Sequence, residues 1–316
     1  MTPVKTCREA SAPRSLWLLS CLCGAAVACC SWPAQAGEAS KSPPLPAPFP
    51  KLLPLHTRLG NPAAGEWLAE HPEAGQTYLQ YVRGNPVRPD GKRRTIHVQP
   101  LGNFTATQRK IVALTAEYMH QYFNLPVRMR DGLSLSLIPA TARRKHPTWE
   151  VDQVLSTYVL ENVLAPRLPD DAVAYIAFTT TDLWPGEGWN FVFGQASLSD
   201  RVGVWSFNRF GDPDESETAF RLCLLRTLKL ATHETGHMFS MAHCIFYECN
   251  MGASNHQEEA DRQPSWLCPQ CLAKLCWATN TDPREHFQHM AAFCKTNGFA
   301  KEQAFYEKSF AAIGGR

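Results

Sequence analysis

The sequence predicts an α+β fold, a mixed twisted β-sheet packed on helices, with one long buried helix at its centre. Three observations carry that expectation. Short strand-like runs alternate with helix-like stretches along the folded region. Residues 172–178 are almost wholly apolar, as in a strand buried on both faces. From about 215 to 241, apolar residues recur at helical spacing through Ala219, Leu222, Leu225 and Leu228, with Asp214 or Ser216 to cap the start.

The other elements follow in chain order. Trp67, Leu68, Tyr78 and Tyr81 have helical spacing and predict a helix over 66–82. Residues 94–101 read as a strand, and 105–123 as an amphipathic helix capped by Thr105 or Thr107. Apolar residues alternate with serines over 133–138, like a half-buried strand, and a helix is predicted over 151–164. After the central run, 190–196 and 202–207 form two further strands joined by the turn 197–201. Helices over 268–278, 284–294 and 302–312 close the chain, and no internal repeat is present.

The long helix ends in His233-Glu234-Thr235-Gly236-His237, followed by His243. Two histidines four apart project from one helical face and can grip one metal ion. His243 stands far enough beyond for the chain to leave the helix and return a third imidazole. Three nitrogen ligands with an open fourth position describe catalytic zinc, where a bound water is acidified and used as nucleophile. Glu234, between the first two ligands, is the general base such a site requires. Tyr247, His256 and a main-chain amide are unranked candidates for stabilising the oxyanion.

A cysteine cluster follows at once. Cys244 and Cys249, then Cys268 and Cys271 in a C-x-x-C, have the paired spacing of a closed four-thiolate zinc site that would brace His243. Two disulfides or four unrelated buried thiols are the alternatives. Met251, in Cys249-Asn250-Met251-Gly252, would alone be a core methionine filling a gap; following these histidines, it resembles the methionine turn that zinc peptidases of this pattern carry beneath the metal.

H-E-x-x-H-x-x-S-x-x-H-C-x4-C-x-M with its later C-x-x-C resembles the archaemetzincins, a family of zinc metallopeptidases. Asp182-Leu183-Trp184-Pro185, Trp189 to Ser197, Ser254-Asn255-His256 and Glu258 to Arg262 share the resemblance, which runs from about Leu55 to beyond Cys271. It implies a metzincin-like (zincin-like) domain and two zinc ions per chain, one catalytic and one structural. The catalytic ion would sit on His233, His237 and His243 with Glu234 as base, the structural one on Cys244, Cys249, Cys268 and Cys271. Peptides or proteins would be the substrates. The departure is Ser240, where the family carries glycine because the helix must end with a positive φ. In peptidases of this kind an edge strand pairs with extended substrate, and Trp189, Phe191 and Phe193 are candidates to line that groove, or else ordinary core and surface aromatics.

The N-terminus reads as an export leader. Lys5, Arg8 and Arg14 precede an apolar stretch, and Ala34-Gln35-Ala36 fits a cleavage site, so 1–36 is read as a signal peptide. Periplasmic or secreted export is expected, with the cytoplasm as the alternative. Leu18-Leu19-Ser20-Cys21 offers a lipid-attachment reading at Cys21; the stretch is too short and interrupted for a stable membrane span. Of 12 cysteines, five fall in the first thirty residues, leaving seven, an odd number that argues against a complete disulfide framework. Prolines at 43, 44, 46, 48, 50 and 54 make 37–54 an extended linker, and 55–316 is read as a single domain. A net charge of +2 gives no sign of nucleic-acid steering. The competing functional class is a zinc-stabilised peptide- or protein-binding module without peptidase activity. A narrow aminopeptidase is a third reading.

Overall fold

The computed structural model describes residues 17–20 as backbone, and 44–197 and 200–315 in full. Strands are β1 (Trp17–Ser20), β2 (Thr95–Leu101), β3 (Val127–Met129), β4 (Arg143–Lys145), β5 (Asp152–Leu155), β6 (Ala172–Thr179), β7 (Asp182–Trp184), β8 (Gly194–Ser197) and β9 (Val202–Ser206). Helices are α1 (Trp67–Glu70), α2 (Tyr78–Arg83), α3 (Ala106–Phe123), α4 (Ser156–Tyr158), α5 (Glu217–Met238), α6 (Gln257–Arg262), α7 (Pro269–Thr279), α8 (Pro283–Thr296) and α9 (Ala300–Ala312).

A mixed six-stranded sheet has the order β1-β8-β9-β6-β2-β3, parallel from β9 through β3 and antiparallel where β8 meets β9 and β1. The central β6 is buried along its whole length, as its apolar run predicts. Ala174, Ile176 and Phe178 point into the helical layer with α3 and α5, while Tyr175 and Ala177 face a second core. Period-two alternation thus lets one strand serve both faces. The second core is closed by a helical stretch over 156–167 and a small sheet of β4, β5 and β7.

Helix caps explain several boundaries. Thr105 accepts from the Gln108 amide while Gln108 returns the bond, a capping box that starts α3 as expected. Ser216 accepts from the Ala219 amide and starts α5. The expected helix over 66–82 is instead α1 and α2, because Pro72 disfavours helical His71 and Gly75 turns the chain at φ +65°. The expected strand over 133–138 is a 3-10 turn, Leu135–Leu137, held by the Ser134 hydroxyl accepting from the Ser136 amide. Serine here satisfies the backbone locally and competes with a ladder. The helix expected over 151–164 begins as β5 and turns helical only at Ser156.

Two N-terminal expectations meet the structure unequally. The proline-rich stretch ends in a 3-10 helix, Phe49–Leu55, that buries Phe49 and Leu52 in the core. Cys21 and the Ala34–Ala36 cleavage site lie outside the described residues, whereas Trp17–Ser20 within the expected leader pairs antiparallel with β8. Among the described residues no helix is long and apolar enough to cross a membrane.

His286 on α8 gives the helical layer an acid-sensitive point. It is 2% exposed, its Nδ1 donates to the Tyr122 carbonyl at 3.2 Å, and burial pushes its pKa down to about 4. The unfolded chain takes up the proton near the ordinary value of 6.5, so this contribution is complete above pH 6.5 and is lost as pH falls towards 4. The difference amounts to roughly 3 kcal/mol. Urea unfolding at pH 7 and pH 4 should show a smaller pH-dependent loss in His286→Asn than in the parent; equal losses would refute the assignment.

Candidate functional site

The site is built where α5 ends. His233, Glu234 and His237 sit on its last turns, 9%, 1% and 3% exposed. At Phe239 the helix stops, and Ser240 takes φ +65°, the left-handed turn expected where the family has glycine. A non-glycine residue there costs on the order of 1 kcal/mol. The Ser240 hydroxyl in turn accepts the Val87 amide at 3.0 Å, an interaction glycine cannot make. The chain then returns His243 to the two helical histidines.

The three rings converge, with centroids 4.6, 4.7 and 5.4 Å apart. His233 Nδ1 faces the Asn250 carbonyl at 2.7 Å, and His237 Nδ1 faces the Met241 carbonyl at 2.6 Å. A carbonyl only accepts, so both rings carry their hydrogen on Nδ1 and turn Nε2 inward. Those two Nε2 atoms lie 3.0 Å apart. Burial pushes the His233 pKa down to about 3 and that of His237 well below the ordinary value, reinforced by the neighbouring histidines. Neutral rings so placed point lone pairs at each other, an arrangement that repels unless a cation lies between. Two nitrogens on tetrahedral zinc stand about 3.3 Å apart, so the donor set fits that ion. His243 Nδ1 completes the pattern by donating to Glu73, at 2.8 and 3.0 Å from its two oxygens.

Glu234 lies beside the sheet: a Cβ on Gly194 of β8 would stand 3.5 Å from its Cγ. Below the histidines, the turn of Met251 is fixed by Cys244 N–H to Met251 O at 2.7 Å and Gly252 N–H to Cys249 O at 2.8 Å. Met251 is 1% exposed and packs against the helix at Gly236, where a Cβ would fall 2.6 Å from its sulfur. Gly236→Ala therefore sets about 1 kcal/mol of helix propensity against 1–3 kcal/mol of overpacking. A lowered denaturant midpoint is expected; a raised one would show that Met251 yields freely.

Cys244, Cys249, Cys268 and Cys271 are buried together, with all four sulfurs within 4.8 Å of one another. All four are free cysteines. Cys244 and Cys268 sulfurs are 3.6 Å apart, near the roughly 3.8 Å of two thiolates on tetrahedral zinc. The Met251 and Cys268 amides both point at Cys249 Sγ, at 3.5 and 3.2 Å. Burial pushes the Cys249 and Cys268 thiols up, while hydrogen bonds from Cys249, Cys268 and Cys271 hold Cys244 down. Four thiolates so close together would need a cation to offset their charge, and zinc fits the donor set.

The candidate oxyanion groups lie elsewhere. Tyr247 lines a cavity on the cysteine side, with Arg58 over its ring, and His256 caps α6 by accepting the Glu259 amide. Neither lines the cavity in front of His233 and His243. Phe193 does line it, with Trp67, Phe210 and Leu230; Phe191 stacks edge-on against Phe193, and Trp189 packs on the second core. Sequence reasoning missed Glu73, whose surroundings carry no metal-site pattern.

The model of peptidase family M54 matches residues 151–276. The chain is 32% identical to human archaemetzincin-2 over 283 residues, covering 75% of this chain and 78% of the relative. It is 32% identical over 190 residues to the archaemetzincin of Thermococcus kodakarensis, 58% of this chain and 95% of that one. A solved archaemetzincin structure from Methanopyrus kandleri aligns with TM-score 0.49 and 27% identity over 61% of this chain and 99% of that one.

Proposed function

We propose, since the chain belongs to the archaemetzincin family of zinc metallopeptidases, that it cleaves peptide bonds at the three-histidine centre. In this reading His233, His237 and His243 hold a catalytic zinc, and Cys244, Cys249, Cys268 and Cys271 hold a second, structural one. The observation that carries it is the shared tautomer: all three imidazoles commit Nδ1 to an oxygen and turn Nε2 towards one point. Zinc, when bound, supplies Lewis acidity that makes a water an effective nucleophile near neutral pH.

The protein's own groups do the rest. Glu234, almost fully buried, takes the proton from the attacking water and hands it to the departing amine. β8 runs beside Glu234 at Gly194, so an extended substrate pairing with that strand would bring its scissile carbonyl beside the base. Trp67, Phe193, Phe210 and Leu230 favour an apolar side chain next to the cut. Asp261, the carboxylate among the described residues lining that cavity, is bound to Arg226, with separations of 3.0 and 2.5 Å. That pairing commits Asp261 to the protein's own cation rather than to a substrate's terminal ammonium, which favours internal bonds.

The layout of 1–36 supports export as part of the same reading. Removing that leader would also expose the β8 edge on which Trp17–Ser20 pairs.

Digestion of a peptide set in free-amine and acetylated forms, read by mass spectrometry, tests the proposal. Both forms should be cut, with apolar residues concentrated on one side of the new termini. Strict dependence on a free amine would overturn the internal-bond reading.

A further inference from the structure

Two of the three metal-site histidines are oriented by main-chain carbonyls, whereas the third is oriented by a carboxylate brought from far away in sequence. His243 lies beyond the helix, on a stretch without regular structure, and its Nδ1 donates to both oxygens of Glu73. Glu73 is itself held: the Trp67 indole donates to Oε1 at 2.6 Å, and the Trp67 ring meets the His243 ring edge-on at 5.6 Å. The Glu73 side chain is 26% exposed and that of His243 11%, so the contact is partly shielded from water.

The same N-terminal segment grips the end of α5 at several points. Gln76 donates to the Ser240 carbonyl at 3.2 Å and accepts the Ala242 amide at 3.2 Å. The Tyr81 hydroxyl donates to the Phe239 carbonyl at 2.8 Å, and the Val87 amide donates to Ser240 Oγ at 3.0 Å. On the far side, the Glu259 carboxylate accepts the Trp67 amide and ties the segment to α6. The carboxylate is therefore delivered by a braced element, with little freedom to leave His243.

We infer that Glu73 is a positioning residue for the catalytic metal, fixing His243 with Nε2 facing inward and adding a negative charge behind the ligand that has no main-chain anchor. The inference rests on the zinc reading of the three histidines. Its physical content is specific. A carboxylate behind an imidazole fixes the tautomer and raises ligand basicity, and losing such a partner typically weakens metal binding 10–100-fold. Three neutral imidazoles leave the charge of a divalent ion wholly uncompensated. Beside the base Glu234, Glu73 is the carboxylate that reduces it from behind a ligand.

The test uses the intact chain with Glu73→Gln and Glu73→Ala, titrated against a competing chelator. The cysteine-site zinc serves as an internal control in the same molecule. Glu73→Gln, which keeps an acceptor and removes the charge, should weaken the histidine-site zinc about 10-fold, and Glu73→Ala about 100-fold. In both, the cysteine-site zinc and the thermal midpoint of the zinc-saturated protein should match the parent. Cobalt at the histidine site should show a shifted visible absorption band in each variant. At saturating zinc, kcat should fall with KM within about twofold of the parent. Histidine-site affinity within twofold of the parent in both variants, with an unshifted cobalt band, would overturn the inference. A parent chain binding zinc only at the cysteines would overturn the zinc reading itself, and is distinguished by one ion per chain before any variant is made.

Discussion

Replacing Glu234 by glutamine is expected to lower kcat on a cleavable peptide on the order of a thousandfold, while zinc content and thermal midpoint stay at parent values. Glutamine has nearly the same shape, so the packing beside β8 at Gly194 is preserved. What disappears is the ability to take a proton from the water and return it to the amine. Steady-state kinetics with metal analysis on the same sample checks this. Turnover equal to the parent's would remove Glu234 from the chemistry, and partner binding unchanged with no turnover in either protein would favour the binding-module reading.

The second large effect is expected at the cysteine cluster. Cys268 sits at the cap of α7, and its amide donates to Cys249 sulfur, so it joins the metal-turn region to the C-terminal helices. Cys268→Ser should remove one zinc per chain and lower stability by about 4 kcal/mol or more, some 10 °C in Tm for a domain of this size. The consequence should reach the active site, because Cys249 opens the turn that sets Met251 and Asn250, and Asn250 orients His233. Retention of both zinc ions with an unchanged melting curve would leave only four buried thiols.

Much of this was legible locally. The H-E-x-x-H spacing is a property of one helix, and the Cys spacings belong to a turn and a helix start, so both donor sets could be seen without knowing the fold. The position of Ser240 was readable too, since a helix that must return a ligand three residues later has to end in the left-handed region. Its hydroxyl bond to Val87 was not, because that partner is supplied by tertiary structure across 153 residues. Glu73 was hidden for the same reason: it reaches His243 from 170 residues away, out of a segment whose periodicity predicts an unbroken helix. Pro72 was the overlooked sign that this helix breaks, and the break is what turns Glu73 towards the metal site. The strand expected over 133–138 failed at its serines, whose hydroxyls bond locally where alternation alone predicts a ladder.

Zinc per chain, by elemental analysis of protein purified without chelator, tests the central claim most directly when the parent is compared with His233→Ala and Cys268→Ser. The account predicts two ions in the parent and one in each variant, with peptide cleavage lost in His233→Ala. A single ion in the parent that survives His233→Ala would contradict it, leaving the cysteine site alone and the histidine centre without its metal.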